Sequence, residues 1–270
     1  MAEQRVRRPM MAANWKMNKI IREAQEYVSQ LLPRIENAEG VDVAIFAPFT
    51  SLGEVARMIR DTPIVAGAQN FYYEDSGAFT GEVSAPMLQD IGAGAVLVGH
   101  SERREIFGES DDLVARKTAR AVEAGMLPVV CVGETQEERD AGEMWEKCSR
   151  QVQRVIEELG ELNGDSIVFA YEPIWAIGTG ATASPEDAQD AIGQIRGLLG
   201  ELRGKNFAEG VRILYGGSIK PGNVGEIMAQ IDVDGGLVGG ASLEANTFAE
   251  LVNGAANHKA SGDTTVLDSW

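Results

Sequence analysis

The sequence predicts a single (β/α)₈ barrel, an α/β fold on a parallel eight-stranded sheet, and three observations predict it. Eight short apolar runs recur along the chain, most of them continuous rather than alternating, which is the pattern of strands buried on both faces. Helical patterns lie between them, so strand and helix alternate throughout, and that alternation argues parallel pairing through right-handed crossovers. The length of 270 residues falls within the range such barrels fill as one unit. An open doubly wound sheet fits the same alternation, because periodicity does not encode closure.

The predicted strands are 11–15, 41–47, 64–68, 95–98, 127–132, 167–171, 211–215 and 236–238. The clearest helix is 184–202, with Ser184 as N-cap, Pro185 at the first helical position and Asp187 completing a capping-box-like arrangement. Ala188, Ala191, Ile192, Ile195, Leu198, Leu199 and Leu202 then recur at spacings of three and four and form one apolar stripe. Arg116, Arg120 and Glu123 mark a solvated face opposite Leu113, Val114, Ala121 and Val122, and 223–228 reads as a short helix after the seventh strand. The third and eighth helical patterns are short. Residues 1–257 are expected to form the barrel, with 258–270 as a loosely held polar tail.

Composition narrows the function. At 44% hydrophobic and 24% charged, the chain has the balance of a globular protein. Its formal charge of −17 repels a phosphate backbone, and with no basic patch in the sequence no nucleic-acid partner is expected. No apolar run approaches the roughly 20 residues of a membrane helix. Arg5, Arg7 and Arg8 are not followed by an apolar stretch of signal-peptide kind, so no membrane partner and a cytoplasmic location are expected. Cys131 and Cys148 lack metal-ligand or CxxC spacing, so neither a metal site nor a disulfide is expected. Against that negative field, a phosphate site has to work locally, through backbone N–H groups and a lysine.

Barrel enzymes place reacting groups at the C-terminal ends of their strands. There the chain carries Asn14 and Lys16, then His100, then Glu172, then Gly216, Gly217 and Ser218, then Gly239 and Gly240. His100 is either a structural histidine or, followed by the helical turn that begins at Ser101 and Glu102, a neutral imidazole whose pKa the helix N–H groups lower. Glu172 is either a solvated strand cap or a base. Pro173, Ile174, Trp175, Ala176, Ile177, Gly178, Thr179 and Gly180 follow it as an apolar segment ending in glycines, which suits a lid that excludes water. The glycine pairs are plain turns or, after strands seven and eight, a phosphate cradle. Lys16 is a surface lysine or a cation facing substrate; a Schiff-base aldolase using Lys16 and a non-catalytic sugar-phosphate-binding barrel are the rival readings, and the Glu172, His100 and Lys16 set argues against both.

Taken together, the segments resemble the triosephosphate isomerase family. The match comprises NWKMN at 14–18, AQN at 68–70, GAFTGE at 77–82, GHSERR at 99–104, CVGE at 131–134, YEPIWAIGTG at 171–180, YGGS at 215–218 and VGGASL at 238–243, in family order over nearly the whole chain. The resemblance implies a TIM barrel that interconverts dihydroxyacetone phosphate and D-glyceraldehyde 3-phosphate through an enediolate, with no cofactor and no metal. It implies Glu172 as base, His100 as electrophile, Lys16 as the cation near the developing oxyanion, and Asn14 as a substrate-positioning donor. It further implies Gly178, Ser218, Gly239 and Gly240 at the phosphate, and Glu102 supporting Lys16. This family is the standard illustration of a carboxylate base working with a neutral histidine under a closing loop, so those roles come from the resemblance and not from spacing. Also implied are a homodimer, in which Thr80 reaches the partner's site near Asn14 and Lys16, and a place in glycolysis, gluconeogenesis and the pentose phosphate pathway. Ala181 departs from the family pattern, where a lysine is common, and the tail is longer than the pattern leads one to expect.

Overall fold

The computed structural model describes residues 7–176 and 183–260. Eight parallel strands close into a barrel in sequence order: β1 (Met10–Asn14), β2 (Asp42–Ala47), β3 (Ile64–Ala68), β4 (Ala95–Val98), β5 (Leu127–Val132), β6 (Val168–Tyr171), β7 (Arg212–Tyr215) and β8 (Gly235–Val238). Closure is made by β1 against β8, with Met10 opposite Gly235 and Ala13 opposite Val238. That pairing excludes the open sheet, which the alternation of elements alone left possible.

The continuous apolar runs now have a physical cause. Side chains alternate across each strand, and both sides are buried. Met10, Ala12, Phe46, Leu97, Val129, Val168 and Leu214 belong to one apolar cluster. Their neighbours Met11, Ala13, Ile45, Val96, Val130, Phe169 and Ile213 belong to a second, shared with the surrounding helices. A strand with no wet face has no polar position to alternate with.

The helices of that outer ring include α1 (Ile21–Ile35), α2 (Phe49–Ile59), α3 (Ala85–Asp90), α4 (Ser101–Phe107), α5 (Asp111–Glu123), α6 (Gln136–Asp140) and α7 (Met144–Glu158). They continue with α8 (Pro185–Arg203), α9 (Lys205–Gly210), α10 (Val224–Met228) and α11 (Ala245–Ala260). At the start of α8, Ser184 Oγ accepts from Asp187 N at 3.0 Å while Ser184 N donates to Asp187 Oδ2 at 3.1 Å, closing the capping box. The α8 stripe is buried through Leu199, but Leu202 is 39% exposed, one turn beyond the reach of the barrel. The third helix is short, at 6 residues, whereas the last spans 16 and runs past the expected boundary at 257. The rest of the expected tail, 261–270, lies outside the described residues. Lys117, on the buried side of α5 with Val114 and Ala121, is accommodated there because Glu109 and Asn70 accept from its ammonium at 2.6 and 2.7 Å.

At the N-terminal end of the barrel, ion pairs join strands to the chain's first described residues. Arg196 bridges Asp232 and Asp234 at 2.8 and 2.6 Å, and Arg7 meets Asp234 at 2.6 Å. Arg8 and Arg212 share Asp42 at 2.9 and 2.6 Å.

Candidate active site

At the opposite, C-terminal end, a cavity of about 400 Å³ opens within the ring of strands. It brings together Asn14 and Lys16 from the end of β1, His100 after β4, Glu172 after β6, Ser218 after β7, and Gly239 and Gly240 after β8. Its size is that of a small-molecule site.

Glu172 is held from two sides. His100 Nε2 lies 3.0 Å from Oε1, and the backbone N–H of Ser101, first residue of α4, donates to Oε2 at 2.8 Å. Burial alone would raise the pKa of this carboxyl, but His100, the Ser101 N–H and Lys16 together hold it below the ordinary 4.5. The glutamate is thus kept ionised in an almost waterless position, 2% exposed. Two glycines make that position available. A Cβ on Gly216 would lie 2.8 Å from Glu172 Cγ, and one on Gly133 would run into the Glu172 carbonyl oxygen.

His100 is the N-cap of α4, and its Nδ1 accepts the Glu102 N–H at 3.3 Å. Nδ1 is therefore a lone-pair acceptor, and the ring proton sits on Nε2, directed at Glu172. The expected lowering of the imidazole pKa is not found. Burial lowers it, but the carboxylates of Glu172 and Glu102 outweigh burial and Lys16 and carry it above 6.5. Sequence shows the helix start but not the carboxylate that arrives from β6.

Lys16 has a left-handed backbone, with φ of 52°, which turns its side chain back over the cavity. Its ammonium donates to Glu102 Oε1 at 2.6 Å. Asn14, buried, accepts the Lys16 N–H at 3.0 Å through Oδ1. Gln69 was not singled out from sequence, yet its amide donates to Asn14 Oδ1, to the Lys16 carbonyl and to the Phe46 carbonyl at 3.3, 2.8 and 3.1 Å. It braces the whole β1 loop. Only its place beside Asn70 in a strand-end motif could have pointed to it.

Of the expected lid, Pro173 to Ala176 are described, and Ile174–Ala176 form a 3₁₀ turn. Ile177, Gly178, Thr179 and Gly180, and the departure at Ala181, lie outside the described residues. The start of the segment is anchored by Glu134, fully buried, whose Oε1 accepts from Tyr171 Oη at 3.0 Å and Trp175 Nε1 at 2.9 Å. Arg139 stacks 4.6 Å from the Trp175 ring centroid. This latch also escaped sequence reading, since its partners come from three separate segments. Thr80 is exposed and does not line the cavity. Ile219 and Lys220 do line it and had no sequence signal beyond following the glycine pair. Cys131 and Cys148 are free and buried, and burial pushes both thiols up. Among the described residues, no group of three or more His, Cys, Asp or Glu side chains is placed to hold a metal ion.

The arrangement pairs an ionised, desolvated carboxylate with a hydrogen-bond donor and an ammonium across one small cavity. It can take a proton from carbon while stabilising negative charge on an adjacent oxygen. Comparison with known proteins agrees with that chemistry. The family profile described as triosephosphate isomerase matches residues 9–255. The triosephosphate isomerase of Rubrobacter xylanophilus is 72% identical over 250 residues, covering 92% of this chain and 98% of its own. Those of Caldanaerobacter subterraneus subsp. tengcongensis and Chloroflexus aurantiacus are 46% and 49% identical over 248 residues, covering 92% of this chain and 100% and 99% of their own.

Proposed function

The chain belongs to the triosephosphate isomerase family, and from that premise we propose a division of labour among its residues. The reaction is the interconversion of dihydroxyacetone phosphate and D-glyceraldehyde 3-phosphate, a step of glycolysis. In our reading Glu172 removes a proton from the carbon beside the carbonyl, an enediolate forms, and the proton returns to the neighbouring carbon. His100 donates from Nε2 to the oxygens that gain charge, Lys16 supplies the positive field, and Asn14 positions the substrate. Ser218, Gly239 and Gly240 hold the phosphate, joined by Gly178 from the lid, and Glu102 steadies Lys16.

The observation that carries this reading is the contact of His100 Nε2 with Glu172 Oε1 at 3.0 Å inside the cavity that Lys16 also lines. Substrate that enters between them takes over the imidazole proton and frees the carboxylate. With Glu172 turned away, burial and Lys16 favour the neutral ring, and so do the N–H groups at the start of α4. Positioned proton transfer supplies about 10² to 10⁴ in rate, or roughly 3 to 5 kcal/mol. Oxyanion stabilisation by His100 and Lys16 supplies several kcal/mol more, about 3 for each well-placed donor.

The working form in this reading is a cytoplasmic homodimer, serving gluconeogenesis and the pentose phosphate pathway as well. Exposed apolar side chains support the dimer: Met17, beside Lys16, is 96% exposed, and Phe79, beside Thr80, is 40% exposed. Among the described residues no helix is long and apolar enough to cross a membrane.

The test is a coupled assay of glyceraldehyde 3-phosphate conversion by the wild type and Glu172→Ala, in buffer with chelator. Turnover that falls by at least about a thousandfold in the variant supports Glu172 as base. Near-full activity in the variant overturns that assignment. A wild type that binds phosphoglycolate without turning substrate over makes the chain a binding protein only.

A further inference from the structure

Lys19 stands outside the set of residues named so far. Its backbone has a φ of 74°, and it and Lys16 are the two residues other than glycine with positive φ among those described. That conformation strains any L-residue and is free for glycine. A lysine held there needs a use for its side chain.

The side chain has one. Its ammonium donates to the Leu243 carbonyl at 2.8 Å and sits 4.7 Å from the Tyr27 ring centroid and 5.5 Å from that of Trp15. Trp15 is fully buried and packs edge-on to Tyr27 at 4.9 Å, so these rings form a fixed seat for the cation. Leu243 ends the 3₁₀ turn Gly240–Ser242, which Gly239 precedes. Within that turn Ser242 N donates to the Gly239 carbonyl at 2.8 Å and Leu243 N to the Gly240 carbonyl at 3.1 Å. Holding the Leu243 carbonyl therefore holds the whole turn. Trp15 and Lys16 on one side and Gly239, Gly240 and Leu243 on the other all line the cavity, while Lys19 does not. Burial draws the pKa of this ammonium down, against the carboxylates of Glu244 and Glu23.

We propose that Lys19 is a positioning residue for the phosphate end of the substrate, clamping the Gly239–Leu243 turn to the loop that carries Lys16. The inference rests on the reading above that Gly239 and Gly240 bind phosphate. The clamp sets the distance between the backbone N–H groups of one segment and the ammonium of the other, which have to meet one ligand together. Affinity for the phosphate group then depends on Lys19, although Lys19 never touches it.

The experiment uses Lys19→Met, Lys19→Gly and Lys19→Arg in the full chain. It reads kcat and KM for glyceraldehyde 3-phosphate, the dissociation constant of phosphoglycolate, and the melting temperature. Lys19→Met keeps the aliphatic stem and removes the donor. Lys19→Gly relieves the backbone and so remains foldable if the methionine variant is not. The expected result for both is a rise of about tenfold in KM and in the phosphoglycolate dissociation constant, with kcat changed by less than about threefold. Lys19→Arg, which keeps a cationic donor, should recover most of the loss. KM and phosphoglycolate affinity within twofold of wild type in Lys19→Gly, whatever the melting temperature, would overturn the proposal and leave Lys19 structural. A wild type that itself fails to bind phosphoglycolate overturns the phosphate reading first, and the two failures are told apart by that control.

Discussion

His100 Nε2 stands 3.0 Å from Glu172 Oε1, so the imidazole N–H is directed at the carboxylate. The same contact lowers the carboxyl pKa and raises that of the imidazole. In the proposed reaction, substrate has to take the imidazole N–H from this pair before Glu172 acts as base.

Removing the charge from that pair should reverse the histidine shift. In Glu172→Gln the burial of His100 and the nearby Lys16 remain while the chief raising influence is gone, so its pKa should fall from above 6.5 to below it. The sequence holds 2 histidines, which makes an NMR titration of the imidazoles easy to assign. The raised pKa adds stability that is full below 6.5 and lost as pH rises through the folded value, so the variant should lose that part of the pH dependence of unfolding. An unmoved titration would show that Glu172 does not set the state of His100.

Acid sensitivity follows from the other partner. The lowered pKa of Glu172 adds stability present above 4.5 and lost as pH falls through the folded value. Denaturation curves from pH 6 to pH 3 should therefore be less steep in pH for Glu172→Gln than for the wild type. Parallel curves would count against the shift.

Gly133→Ala should damage both stability and turnover. Its methyl group would collide with the Glu172 carbonyl oxygen, a backbone atom with no rotamer to change. Overpacking of this kind costs about 1 to 3 kcal/mol. Urea unfolding should show that loss, and kcat should drop because Glu172 has moved. Normal kcat in a destabilised variant would mean that the strain relaxes away from the site.

Lys117→Met tests a buried charge cluster. Glu109 is kept ionised against its own burial by Lys117 and Arg103, each at 2.6 Å. Lys117 is pulled downward by burial, which Glu109 only partly offsets. Deleting the lysine leaves the carboxylate with Arg103 alone, and breaking such a pair costs about 3 kcal/mol or more. Chemical denaturation of the purified variant measures it. A loss under about 1 kcal/mol would mean that Glu109 simply takes up a proton.

The proposed dimer predicts a dependence on Met17. Placed beside Lys16 and 96% exposed, it is the side chain a second copy of the chain should cover in that dimer. Met17→Glu should lower the molar mass seen by light scattering at micromolar concentration and make specific activity fall on dilution. A wild type that scatters as a monomer at every concentration would dismiss the dimer.

The strands, α8 with its cap and the identity of the mouth were legible because each is written locally, in an apolar run, a Ser-Pro-x-Asp start or a polar residue ending a strand. Leu202 was misplaced because helical spacing says which residues share a face but not where the barrel curves away. Gln69, Gly133 and the Glu134 latch were missed for a different reason. Their meaning lies in what reaches them from other strands: Asn14 from β1 for Gln69, and Glu172 and Trp175 from the β6 end for the other two. The direction of the His100 shift belongs to the same class.

The ion pairs of Arg7 and Arg196 with Asp232 and Asp234, and of Arg8 and Arg212 with Asp42, occupy the floor of the barrel, and none of these residues lines the cavity. The ion pairs and the cavity thus occupy opposite ends of the same barrel. A charge rewritten at the floor alters how the chain's first described residues are fastened and leaves every wall of the cavity in place.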